Sequence, residues 1–202
     1  MRAARWQTLV VSVILIPMHP RKTISQFDRF LASRGLRFEA TGIGGTALGL
    51  LGVSSRQTRD CDVLHPLLPL HPLLPTKIRE AAREFAAARR SEGDSLVDDW
   101  LNNGPSSLIA NLPEGWERRS QRIFDGHALT LHALSRIDFL MSKLFALCDR
   151  GIDLSDCIAL EPTSRELREI LPWLERQDAN PDWPAHVRAV LDDLERRLGD
   201  GL

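Results

Sequence analysis

Residues 44–64, GGTALGLLGVSSRQTRDCDVL, constrain the fold more than any other part of the chain. Residues 36–43 read as a short strand, and Gly44 and Gly45 form a turn after it. A brief apolar helix over residues 46–51 is closed by Gly52. Glycine lets a ligand approach the backbone closely, and a helix N-terminus offers N–H groups that favour an anion. Residues 60–64 read as a second strand. Asp60 and Asp62 alternate along it, so both carboxylates point to one face. Paired carboxylates suit Mg²⁺ or Mn²⁺, with phosphate oxygens filling the remaining positions. Thr46 at the head of the helix, and Arg56 and Thr58 on the approach to the acids, are further candidates for phosphate contact. Taken singly, an acid pair on a strand is usually a solvated face, and a Gly-Gly pair is usually a plain turn. In this order they describe a site for a divalent metal and phosphate groups.

The chain has 202 residues, of which 43% are hydrophobic and 26% charged. That suits one packed domain, or one domain with a helical appendage. A net charge of -1 argues against a broad electrostatic grip on nucleic acid, and a local basic patch stays open. The cysteines are Cys61, Cys148 and Cys157, with no CxxC pair. This argues against a disulfide framework or structural zinc and fits a reducing cytoplasm. Residues 9–18, LVVSVILIPM, follow Arg2 and Arg5 and resemble a signal-peptide core. No small-residue cleavage site follows, and the run is too short to span a bilayer, so no membrane role is expected. Two readings stand open: an extra apolar element, or a non-native extension over residues 1–17 with Met18 as the start. Domain-like sequence from His19 favours the second.

Helical spacing places one helix over residues 23–33 and another over 77–90, the second with Ile78, Ala81, Ala82 and Phe85 on one face. Between residues 64 and 75 the hexamer LHPLLP occurs twice. Its prolines exclude helix and central strand, and the copy suggests replication slippage; His65 and His71 recur only with the unit. Residues 94–103 form a short helix or an irregular loop, and 107–110 and 128–133 are strand candidates. From Ser135 the chain turns helical. Ser135 with Asp138, and Thr163 with Glu166, fit capping boxes for helices reaching Cys148 and about Arg176. Pro184 fits the first turn of a last helix ending near Leu198. The expected division is an α/β core over residues 18–134 and a helical portion over 135–202 packed on it. With no flexible linker between them, the two form one cooperative unit. Trp100, Trp116, Trp173 and Trp183 read as core, Cys61 as buried, and His186 as surface.

The Gly-Gly turn followed by Arg56-x-Thr58-x-Asp60-x-Asp62 resembles the signature of the nucleotidyltransferase superfamily, in particular its AbiEii-like branch of toxin-related proteins. Residues 137–156, IDFLMSKLFALCDRGIDLSD, resemble that branch's downstream helix. The resemblance covers about residues 22–160. It implies an α/β (α+β) fold, with a mixed sheet, flanking helices and a helical C-terminal portion. It places Gly44 and Gly45 on the phosphate turn, Asp60 and Asp62 on the metal pair, and Lys143 on the helix lysine. Arg150 falls on the arginine, and Asp153 and Asp156 on the later acids. It implies transfer of a nucleoside monophosphate from an NTP, with Mg²⁺ or Mn²⁺, to a hydroxyl on RNA or protein.

Lys143 and Arg150 are seven residues apart and share a helical face, where they can offset triphosphate charge. The bland alternative is that both snorkel to water. Asp138 reads as a cap, and Asp153 and Asp156 as caps or partners of Arg150, with Asp156 also a catalytic candidate. Active members of this fold usually carry a third carboxylate on a later strand. Residues 128–133 offer only His132 there. Either His132 or Asp156 fills that role, or the protein is a degenerate binding module for an antitoxin-like partner.

Overall fold

A five-stranded mixed sheet organises the molecule, which is a computed structural model describing residues 18–54, 58–64 and 74–199. Helix α1 (Pro20–Ser33) opens on a proline, whose fixed φ suits a first turn, and buries Ile24, Phe27 and Leu31 along one face. Strand β1 (Phe38–Ile43) runs directly into α2 (Gly44–Leu50), and β2 (Cys61–Leu64) returns beside β1. Helix α3 (Thr76–Ser91) leads to the two-residue strand β3 (Leu101–Asn102) and a 3-10 segment (Gly104–Asn111). A short α4 (Trp116–Arg119) precedes β4 (Gln121–Asp125) and β5 (Leu129–Ala133). Four helices follow: α5 (Arg136–Arg150), α6 (Leu154–Ala159), α7 (Ser164–Leu174) and α8 (Trp183–Gly199).

The strand order is β3-β2-β1-β5-β4. The pairs β1–β5 and β2–β3 are parallel, and β1–β2 and β4–β5 are antiparallel. One core cluster joins Phe38, Ala40, Cys61, Val63 and Leu131 of the sheet to α1 and α3. Trp100 is wholly buried there, edge-on to Phe27 at 5.0 Å between ring centroids. Ile43 and Leu64 join a second cluster with Leu144, Leu167, Val187 and Leu194 of the C-terminal helices. The fold is thus the expected mixed α/β arrangement with flanking helices. Among the described residues, no helix is long and apolar enough to cross a membrane.

Several elements differ from expectation. Gly44 and Gly45 belong to the first turn of α2 rather than to a separate turn ahead of it. Residues 107–110 are not a strand but part of the 3-10 segment, because Pro105 fixes a helical φ at its start and lacks an N–H for a ladder. Residues 94–103 end in β3, and neither β4 nor α6 was expected. Asp60 lies just before β2 rather than on it. The Thr163–Glu166 capping box is complete. Ser135 accepts the Asp138 N–H, but the Asp138 carboxylate is fully buried and forms a two-point pair with Arg119, at 2.6 and 3.0 Å, so it is more than a cap. The four tryptophans are buried or partly buried, Cys61 is buried, and His186 is exposed. Residues 1–17, Arg56, and the repeat with His65 and His71 lie outside the described residues.

Candidate functional site

The site grows from the junction of β1 and α2. Gly44 has φ +68, in the left-handed region that glycine adopts freely. A Cβ there would lie 2.9 Å from Oδ2 of Asp62, so the missing side chain is what lets the carboxylate rest against the turn. Asp62 reaches this position because it pairs with Ile43, the residue just before Gly44. Asp60 is fixed through its backbone. The Thr46 hydroxyl donates to its carbonyl at 2.5 Å, and the Thr58 hydroxyl lies 3.2 Å from both that carbonyl and Oδ1. Thr46 is buried and occupied in this way. Thr58 is tied in turn to Met18 by a backbone bond of 3.0 Å.

Burial raises the pKa of Asp62, and the neighbouring Asp60 charge raises it further. A hydrogen bond from Asn102 and the charge of Lys143 oppose the rise, and Asp153 adds to it. A half-desolvated carboxylate beside a second carboxylate is a hard-oxygen donor pair whose repulsion a divalent cation would relieve. Among the described residues no group of three His, Cys, Asp or Glu side chains is placed to hold a metal. The pair fits such an ion if a substrate supplies the other oxygens.

Helix α5 forms the facing wall. Lys143 is buried, and its Nζ pairs with Asp156 Oδ2 at 2.8 Å and Asp153 Oδ2 at 3.0 Å. The two later acids therefore partner Lys143 rather than Arg150. Arg150 is largely exposed and lies 3.6 Å from Asp149. Asp156, at 1% exposure, is held beneath Lys143, whereas Asp153 reaches the cleft with φ +69, a conformation uncommon outside glycine.

Gly44, Gly45, Asp60, Asp62, Lys143 and Arg150 all line one cleft of about 880 Å³, within the size range of small-ligand sites. Thr58 lines it too. His132 does not: it sits on β5, two strands from β2, with Nε2 2.9 Å from Glu39 Oε1. The expectation that His132 stands in for a third acid is not met, because strand order carries it away.

Asn102 and Asp149 are among the polar lining residues that the sequence reading did not single out, and Asp99, which lies near the expected third acid in sequence but on no convincing strand, also lines the cleft. Asn102 stands in parallel register beside Asp62, so a carboxamide occupies the neighbouring strand position. A two-residue strand has no periodicity to read, and its partner is 40 positions away, from Asp62 to Asn102. Asp149 was readable, since it lies between Cys148 and Arg150 on a helix already assigned. Among the described residues, carboxylates outnumber cations on the lining, five to two. A polyanion therefore needs accompanying positive charge to enter.

Neither the curated proteins nor the solved structures provide a match. The family described as "Nucleotidyltransferase of unknown function (DUF6036)" matches residues 22–167, a span that holds the glycine turn, both aspartates, Lys143 and the later acids. With the match covering well over half of its length, this chain belongs to that nucleotidyltransferase family.

Proposed function

We propose that the protein moves a nucleoside monophosphate from an NTP to a hydroxyl on RNA or protein, dependent on Mg²⁺ or Mn²⁺. The observation that carries this reading is the contact of the Gly44 turn with Asp62, in a cleft faced by Lys143 and Arg150. Asp60 and Asp62 would hold the metal, which when bound supplies positive charge against the phosphates. The N–H groups at Gly44, Gly45 and Thr46 sit at the head of α2, where phosphate oxygens can accept from them. Lys143 presents its ammonium from the facing wall, fixed by Asp153 and Asp156. Arg150, with only a long contact to Asp149, can turn toward the leaving pyrophosphate.

In the reaction the acceptor oxygen bonds to the α-phosphorus and the bond to the bridging β-phosphate oxygen breaks. Pyrophosphate leaves, and the hydroxyl proton passes to a base. Asp153, on the cleft wall, is better exposed for that proton than the buried Asp156, whose role is then to position Lys143. Asp60, Asp62 and Lys143 line one cleft and Asp156 holds Lys143 from beneath, an arrangement in keeping with the AbiEii-like, toxin-related branch, whose reading includes an antitoxin-like partner. Three buried free thiols support a reducing, cytoplasmic setting.

A second reading, a degenerate module that binds nucleotide or a partner without turnover, draws on Asn102. A neutral amide stands in register beside Asp62, and Lys143 already has two carboxylate partners. Calorimetric titration of each NTP, with Mg²⁺ and with chelator, into the wild type and Asp60→Ala/Asp62→Ala tests the site. Mg²⁺-dependent binding lost in the double variant is the expected result, followed by transfer of label from α-³²P NTP to an RNA or protein acceptor. Binding without label transfer favours the module. No binding of any NTP overturns the assignment.

A further inference from the structure

The glycines and charged groups of the cleft are assigned above to the metal and phosphates, which leaves its apolar lining without a role. Beyond Lys143, α5 presents Phe145 and, after the left-handed Gly151, Ile152. Arg150, which closes α5, stands two turns past Lys143, on the order of 10 Å farther along the helix axis, and Ile152 follows it after Gly151. A hydrophobic residue just after such a glycine normally packs back on the last helical turn. Ile152 instead lines the cleft at 46% exposure, the highest of the large exposed hydrophobics among the described residues. Phe145 is held in place, with its ring edge-on to Trp173 at 6.3 Å and to Trp183 at 6.4 Å. Trp183 is anchored by its indole N–H to the Leu174 carbonyl at 2.8 Å. The 3-10 segment contributes Pro105 and Leu108 to the same lining.

The same cleft thus carries, beside its carboxylates, glycines and cations, apolar side chains that include an aromatic ring packed on two tryptophans. Building on the nucleotide reading above, we propose that Phe145, Ile152, Pro105 and Leu108 form the nucleobase subsite. A base is flat, apolar on both faces, and tethered through its sugar to the phosphates held at the Gly44 end. Contacts of this kind are tolerant of base identity because every base presents a π-face. The apolar lining therefore secures a nucleoside as such, and selection among bases falls to polar groups of the same cleft.

The experiment is calorimetric titration of the full chain with Mg²⁺ and each of ATP, GTP, CTP and UTP. Inorganic tripolyphosphate with Mg²⁺ serves as the base-free probe. The variants are Phe145→Leu, which stays apolar and loses the ring, and Ile152→Ser, at an exposed position that leaves folding intact. The expected result is that wild type binds at least one NTP more tightly than tripolyphosphate. Each variant should weaken that NTP by roughly fivefold to tenfold, in line with base stacking, and leave tripolyphosphate unchanged. Equal wild-type affinity for NTP and tripolyphosphate, unaltered NTP affinity in both variants, or an equal loss for both probes would overturn the subsite. In each of those cases the catalytic reading survives if Asp60→Ala/Asp62→Ala abolishes NTP binding. Failure of wild type to bind either probe overturns both.

Discussion

Alanine at Gly44 would impose two separable costs. The first is backbone strain: at φ +68 an L-residue costs about 1–2 kcal/mol. The second is steric, because the new Cβ would sit 2.9 Å from Asp62 Oδ2. That atom is the end of a side chain and can rotate away, so the clash adds little to the stability loss. It does displace the carboxylate on which the site depends. Gly35→Ala is the matched control, since Gly35 has φ +63 and open space where the Cβ would go. Both variants should therefore lose about 1–2 kcal/mol in urea unfolding. For a chain of this size that is a fall of about 2–8 °C in Tm. Only Gly44→Ala should lose Mg²⁺·NTP affinity, by at least about tenfold in calorimetry, equivalent to ~1.4 kcal/mol. Wild-type affinity in Gly44→Ala would refute the claim that the turn and Asp62 act together. Equal affinity losses in the two variants would show that backbone strain, and not the carboxylate, sets binding.

Two further predictions concern the frame around the site. Asp28 on α1 is buried and accepts the N–H groups of Ala128 and Leu129, at 2.8 and 2.9 Å, at the start of β5. Burial raises its pKa, but the backbone donors outweigh this and hold it below the ordinary carboxylate range. A depressed folded-state pKa stabilises above the unfolded-state value and is lost as pH falls through the folded one. Asp28→Asn should thus cost about 2 kcal/mol at pH 7, with the deficit narrowing in acid; a gap independent of pH would contradict the assignment. Arg119→Ala should destabilise by about 3 kcal/mol, because it strands the fully buried Asp138 carboxylate. Adding Asp138→Asn should recover part of that loss in urea titration, and additive losses would mean the pair is not coupled.

The order strand, Gly-Gly, short helix, Asp-x-Asp was legible because its members are close in sequence and their geometry is set by local periodicity. The Thr163–Glu166 box and the helix at Lys143 were legible for the same reason. The roles of Asp153 and Asp156 were less so. Each could cap, pair with Arg150 or meet substrate, and only the packing of α6 against α5 directs both to Lys143. His132 looked equivalent to a strand acid because alternation states which face a residue takes, not which strand lies beside it. Asn102 was hidden for the converse reason: β3 is too short to show alternation, yet it lies in register with Asp62.

By itself, then, the sequence determined the chemistry available: two carboxylates, a glycine turn at a helix head, and a lysine and an arginine on one helical face. Those depend on interactions within a few residues, where backbone sterics leave few options. The tertiary structure decided which groups share a cleft, that Lys143 is buried between two acids, that Asn102 stands beside Asp62, and that Phe145 and Ile152 face the same opening. These follow from strand order and helix packing, which depend on burying the whole apolar surface at once and leave no local trace in the chain.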